Sequence, residues 1–251
     1  MLPIRDDNPT HRTPFVNWAI IAAAAIAFVF VQPRGEAALG EFLYEQAAIP
    51  CEIVTQEPLS IEEIQTARCE RGDLPFFPTK GVETSLLASI FLHGSLGHLL
   101  GNLWILWIFG NNIEDEFGHF RYALFYLVSG VLATLAHVVG NLSSTVPVVG
   151  ASGAIAAVMG AYLILHPSAR VTSIVPPLFF LPFRVPASVF LAIWFLGQFA
   201  LAGASSNIAW QAHVGGFLVG VFYAWRVKRT RAAEPPGVGP GWERPGRDGP
   251  G

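Results

Sequence analysis

The chain has 251 residues, 52% of them hydrophobic and 13% charged, with a formal net charge of −3. A soluble domain carries about 25% charged residues, so this composition excludes an ordinary soluble globule, and the lack of a basic stripe excludes a nucleic-acid binder. The apolar residues fall in long runs, which predicts an all-α polytopic membrane protein whose solvent is the lipid bilayer.

Residues 1–14 are polar, with Arg5 and Arg12 set against Asp6 and Asp7, and read as a short cytoplasmic segment. The apolar run 15–31 ends at Gln32-Pro33-Arg34 without a small-x-small cleavage pattern. It is expected to be a retained first helix and not a signal peptide. A long polar loop, 32–85, follows. It holds most of the acidic residues and both cysteines, Cys51 and Cys69, and its 59–69 stretch is patterned for a short helix.

Spanning takes about 20 apolar residues at 1.5 Å each. The further candidate spans are 86–110, 120–140, 151–165, 187–203 and 209–225, which with the first makes six. Residues 171–186 are apolar but carry Pro176, Pro177, Pro182 and Pro186, and are expected to be an interfacial loop. A six-helix domain therefore covers 15–226, and 227–251 reads as a basic, then Pro/Gly-rich, disordered cytoplasmic tail.

Arg226, Lys228, Arg229 and Arg231 follow the last span, so the positive-inside rule puts both termini on the cytoplasmic side of a plasma (inner) membrane. The 32–85 loop is then outside, where oxidation is permitted, and a Cys51–Cys69 disulfide is expected.

Polar residues inside spans are functional candidates by default. They are His93, His98, Asn102, His137, Ser152 and His213. Helical rise puts Ser152, His98 and His213 each roughly 20–21 Å above the inner boundary, in one layer below the outer surface. The fourth span is short, so the loop before it must dip into the membrane. Irregular backbone is tolerated there only beside protein or a water-filled cavity.

Gly150-Ala151-Ser152-Gly153 opens that fourth span. A serine there has free helix amides beside it, which favour developing negative charge. A plain N-cap is the alternative reading. Gly216 and Gly220 make a GxxxG on the sixth span, facing a Gly153, Ala157, Gly160 stripe on the fourth. Such faces bring backbones close, which would put His213 in reach of Ser152. Packing with an incidental histidine is the alternative. His98 and Asn102, at i and i+4, share a face and can both donate hydrogen bonds. His93 is expected to orient its neighbours, and His137 to line a cavity. No Asp or Glu occurs between Phe117 and Ala233, so any Ser–His chemistry here uses a dyad.

This pattern resembles the rhomboid intramembrane serine proteases. The matching residues are His93-x4-His98-x3-Asn102 on the second span, Gly150-x-Ser152-Gly153 on the fourth, and Ala212-His213-x2-Gly216-x3-Gly220 on the sixth. The resemblance runs from about Leu86 to Trp225. It implies a Ser152 nucleophile, a His213 general base, and an oxyanion hole from His98, Asn102 and the Ser152 amide. Gly150 and Gly153 would admit the substrate chain, and Gly216 and Gly220 would hold the sixth helix on the fourth. It also implies single-span membrane proteins as substrates, no metal and no cofactor, and a gate formed by the fifth helix and its following loop, 204–210. Glu114 and Arg121 match polar positions of the inner loop.

Two departures stand out. Glu83-Thr84-Ser85 replaces a Trp-Arg pair in the first loop, and Ala156 replaces an aromatic residue one turn after the serine. Rival readings are an inactive, helix-binding rhomboid relative, a transporter, or another intramembrane protease class. Inactive relatives usually lack the serine or histidine, and both are present. No internal repeat of the transporter kind is visible. No His-Glu-x-x-His and no Asp within a span occurs. Oligomeric state is left open.

Overall fold

A computed structural model describes residues 1–70, 74–175, 179–202 and 208–233. In chain order the elements are β1 (Leu2–Asp6), α1 (Phe15–Ile26, continued as a π-helical turn over Ala27–Val31), α2 (Glu36–Gln46), α3 (Pro50–Thr55), α4 (Ile61–Thr66), α5 (Val82–Ala88), α6 (Leu96–Phe117), α7 (His119–Gly140), α8 (Ser152–Leu165), β2 (Arg170–Val175), β3 (Phe179–Pro186), α9 (Ala187–Ala202) and α10 (Trp210–Ala233).

The protein is mostly helical, around α8. Every residue from Gly153 to Tyr162 is buried, as a helix that is apolar on all sides requires. Helices α6, α7, α9 and α10 pack around it. α7 shows the complementary pattern. Tyr122, Tyr126, Ser129 and Ala133 face inward, while Phe120, Leu124, Val128 and Leu132, four residues apart, are exposed. Similar apolar stripes lie bare on α6, α9 and α10, more than a water-soluble monomer leaves uncovered. Among the described residues, His119–Gly140 alone has the length and hydropathy to cross a membrane, with shorter apolar helices at Phe15–Val31, Ser152–Leu165 and Ala187–Ala200.

The contact between α8 and α10 is backbone on backbone. A Cβ added at Gly216 would stand 2.1 Å from the Gly153 carbonyl oxygen, at Gly220 1.9 Å from that of Ala157, and at Gly160 2.1 Å from that of Phe217. Only glycine permits this approach.

Three expectations need correction. The all-α class is broken by an antiparallel sheet of order β1-β2-β3, so 171–175 and 179–186 are not loop. The prolines misled because Pro182 and Pro186 sit on β3, an edge strand, where proline is tolerated. Asp6, at the end of β1, reaches the helices by accepting hydrogen bonds from Tyr162 (2.6 Å) and Asn112 (2.8 Å). Burial pushes its carboxyl above the usual range.

Second, the span predicted at 86–110 is two helices. α5 ends at Ala88, and Ser95 caps α6 by accepting from the His98 amide at 3.2 Å. His93 therefore lies in the connection, not on the helix. Third, α10 continues to Ala233, so 227–233 belong to a helix, where Arg231 pairs with Glu116. The predicted tail from 234 on, Pro176, Pro177 and the 203–207 part of the loop after α9 lie outside the described residues.

The 32–85 segment is more ordered than a polar loop. The short helix expected within 59–69 is α4, closed by a Ser60/Glu63 capping box. The Cys51–Cys69 disulfide is present. Lys80 and Glu52 form an ion pair at 2.5 Å with side chains 1% and 2% exposed. Lys80 also donates to the Tyr44 carbonyl, and Glu52 accepts from the Leu59 amide. Loss of water pushes the Glu52 carboxyl up and the Lys80 ammonium down from their ordinary values.

Two stability measurements check these contacts. Gly220→Leu should prevent folding, whereas Gly197→Leu on α9, where a Cβ meets nothing within 4 Å, should leave detergent-solubilised protein with an unchanged melting temperature. Lys80→Met should destabilise by about 3–5 kcal/mol, because it leaves a buried carboxylate alone. Adding Glu52→Gln should recover part of that loss.

Candidate active site

The loop 141–151 between α7 and α8 carries the backbone that delivers Ser152. It is tied to the 32–85 segment by two hydrogen bonds, Cys51 N–H to Ser144 O and Val148 N–H to Ala48 O, and to Ser89, just after α5, by Gly150 N–H to Ser89 O; Ser89 Oγ in turn accepts from the Ala48 N–H. This satisfies irregular backbone with protein, as its predicted depth demands. Gly150 has φ of +123°, and a Cβ there would lie 2.7 Å from the His98 ring and 3.6 Å from Ser152 Oγ. Glycine is required on both counts.

Ser152 is the first residue of α8 and does not cap it. The N-cap position is Ala151, with no side-chain cap. The hydroxyl is instead 2.8 Å from Nε2 of His213 on α10. The glycine contacts between the two helices hold that distance. The amides opening α8 have no carbonyl within their own helix to bond, so they stand available beside the hydroxyl.

Nδ1 of His213 meets a group absent from the list of polar candidates. Gln198 on α9 is buried, and its Oε1 lies 2.7 Å from Nδ1. The sequence signal was present, as a single amide in the apolar run of α9. The Trp194 ring lies 6.0 Å from the imidazole at 38°. It supplies, from α9, the aromatic neighbour that Ala156 cannot. Among the described residues, no carboxylate is hydrogen-bonded to this imidazole.

His98 and Asn102 face the same space from α6. Asn102 Nδ2 is buried without a hydrogen-bond partner. Leaving such a donor orphaned costs about 1–3 kcal/mol, a cost sites bear when a ligand completes the bond. His93 is fully buried beneath His98, edge to face at 5.1 Å. The Gln32 side chain holds its backbone from both sides, accepting from its N–H at 3.0 Å and donating to its C=O at 2.7 Å. His93 thus packs against the His98 ring and is not among the residues lining the space beside Ser152.

Ser152, His213, His98 and Asn102 line one cavity of about 870 Å³, bounded also by Gly97, Gly101, Met159, Trp194 and His137. His137 sits on its wall, 3.1 Å from Gln211 Oε1. Gly216 and Gly220 act in packing alone. Glu114 lies outside the cavity and caps α1, and Arg121 is exposed.

Such a constellation can move a proton from hydroxyl to imidazole and offer donors to a nearby oxyanion.

Among protein families, the Rhomboid domain matches residues 81–230. Curated relatives agree. The chain is 29% identical over 155 residues to Rhomboid protein 1, mitochondrial, of Saccharomyces cerevisiae, covering 58% of this chain and 42% of that protein. It is 31% identical over 145 residues to the human Presenilin-associated rhomboid-like protein, mitochondrial, covering 55% and 36%. It is 33% identical over 139 residues to Rhomboid protease GluP of Bacillus subtilis, covering 55% and 25%. The chain thus spans less than half the length of these relatives. The matched domain covers more than half of the chain, includes every residue of the cavity described above, and identifies the protein as a membrane protein of the rhomboid family.

Proposed function

We propose that this protein is an intramembrane serine endopeptidase acting through a Ser152–His213 dyad. One observation carries the reading: the 2.8 Å contact between Ser152 Oγ and His213 Nε2 opens on a cavity that also presents the orphaned amide of Asn102. His213 Nε2 takes the hydroxyl proton as Ser152 Oγ bonds to the scissile carbonyl carbon. The resulting oxyanion is met by Asn102, His98 and the Ser152 amide. His213 then gives its proton to the departing amine, and a water molecule, activated in the same way, hydrolyses the acyl-enzyme. This chemistry needs no metal or cofactor.

In this reading six helices (α1, α6, α7, α8, α9 and α10) cross an inner membrane, with both termini on its inner side. α10 ends in Arg226, Lys228, Arg229 and Arg231, as that orientation favours. The dyad then lies below the outer surface, and the substrates are single-span membrane proteins whose outer ends reach that depth. α9 and the loop after it form the entry side.

A fluorophosphonate probe should label the wild type and fail to label Ser152→Ala. Both Ser152→Ala and His213→Ala should abolish cleavage of a reconstituted single-span substrate, and the double variant should be no worse than either. Asn102→Ala should cost about 10²–10³ in kcat. An unlabelled wild type would instead mark a helix-binding, non-catalytic relative.

Substrate choice follows from backbone energetics. A helical peptide bond has its carbonyl hydrogen-bonded and shielded, so the segment must unwind. Gly and Pro lower that cost by about 1 and 3 kcal/mol relative to Ala. Cleavage is expected near the outer end of the substrate span, beside a small residue that fits between Gly150 and Gly153. Replacing the outer half of a model substrate with unbroken Leu and Ala, at constant span length, should reduce its cleavage in proteoliposomes. Equal turnover of the two substrates would show that unwinding is not selected.

A further inference from the structure

We infer that Gln198 is a positioning residue: it fixes His213 in the one tautomer that can act on Ser152, and it does so from a different helix, α9. The inference rests on the protease reading for its kinetic consequence and on hydrogen-bond geometry for its structural one.

The amide of Gln198 has only one consistent orientation. Its Nε2 donates to the Trp194 carbonyl at 3.0 Å, one turn earlier on the same helix. A carbonyl oxygen can only accept, so the NH₂ end is pinned there. The oxygen end therefore faces His213 Nδ1 at 2.7 Å. An amide oxygen also only accepts, so Nδ1 must carry the hydrogen. In the neutral ring the lone pair is then on Nε2, the nitrogen 2.8 Å from Ser152 Oγ. A chain of fixed polarity runs from the α9 backbone through the amide and the imidazole to the hydroxyl.

The opposite tautomer would put a hydrogen on Nε2, and the imidazole could then not accept the serine proton. It would also face the Nδ1 lone pair against the lone pairs of the amide oxygen. Gln198 is 6% exposed, and burying an amide in apolar surroundings is unfavourable unless both ends are partnered. Here both ends are. The amide occupies the place that a carboxylate holds in a triad, without adding a charge to the membrane layer, where charge is expensive.

A purely structural tie between α9 and α10 is the competing explanation, since side-chain amides also join helices in membranes. Tautomer state and kcat separate the two. The full chain, labelled with ¹⁵N-histidine and reconstituted in nanodiscs, reports the tautomer of His213 directly, and His213→Asn assigns its resonance. The wild type should show the Nδ1–H form. Gln198→Leu and Gln198→Met, which remove the acceptor, should shift the ring toward Nε2–H. They should also lower kcat about tenfold, the worth of one ordinary hydrogen bond, with KM changed less than about twofold. Gln198→Glu keeps an acceptor oxygen in either protonation state. It should retain the Nδ1–H form and recover kcat to within about threefold of wild type.

Unchanged tautomer and kcat in both apolar variants would overturn the proposal. So would a loss of kcat that Gln198→Glu fails to rescue while the tautomer stays Nδ1–H, because that pattern belongs to a structural tie. If the wild type neither cleaves nor takes the fluorophosphonate probe, the protease reading fails, and the tautomer comparison still decides the role of Gln198.

Discussion

The separation of two helix backbones governs the site. Ser152 opens α8 and His213 sits on α10, 61 residues away. Neither side chain is long, so their meeting depends on how closely the two helices lie. Gly216 against Gly153, Gly220 against Ala157, and Gly160 against Phe217 each put a glycine where a Cβ would strike the facing carbonyl. Lipid offers no hydrophobic force to drive helices together, and van der Waals contact of this kind takes its place. The same close contact explains why α8 can be shorter than a spanning helix. It lies inside the bundle, where its neighbours and not lipid surround its ends.

The polar segment between α1 and α6 supplies the second constraint. A short α8 leaves the 141–151 loop without helical hydrogen bonds of its own. The segment from α2 to α5 supplies protein partners, through Ala48, Cys51 and Ser89. Its own rigidity comes from the Cys51–Cys69 disulfide and the Lys80–Glu52 pair, features common in extracytoplasmic domains with little core of their own. A polar insertion that carries no candidate catalytic residue is therefore part of what shapes the loop that delivers Ser152.

Much of this was legible in the sequence because the relevant signals are local. Ser152, His213, His98 and Asn102 stand out as polar residues in apolar runs, and helical rise alone puts three of them at one depth. The glycine stripes are read the same way. What escaped was set by partners distant in the chain. Gln198 gained meaning only once α9 lay against His213. The break before α6 depends on Ser95 capping a helix that hydropathy alone would have extended through His93. Pro182 and Pro186 argued against strands because strand order, which puts them on an edge, is a tertiary fact. Trp194 takes over the aromatic role missing at Ala156 from another helix, which no motif spacing records.

The first helix has an unusual dependence. α1 has no acidic residue in its first turn and no side-chain cap. Its opening amides, at Val16 and Asn17, are satisfied by the carboxylate of Glu114, 98 and 97 residues later. Asn17 in turn bonds to the Leu106 carbonyl and accepts from Tyr122. During synthesis α1 thus emerges well before the carboxylate that locks it. At about 5–20 residues per second, roughly 5–20 s pass before its partner is made. Until then α1 is held by hydropathy alone and is free to tilt, slide or be engaged by insertion machinery. The helices are made in order but fastened out of order, with the carboxylate of α6 as the clasp that closes on α1.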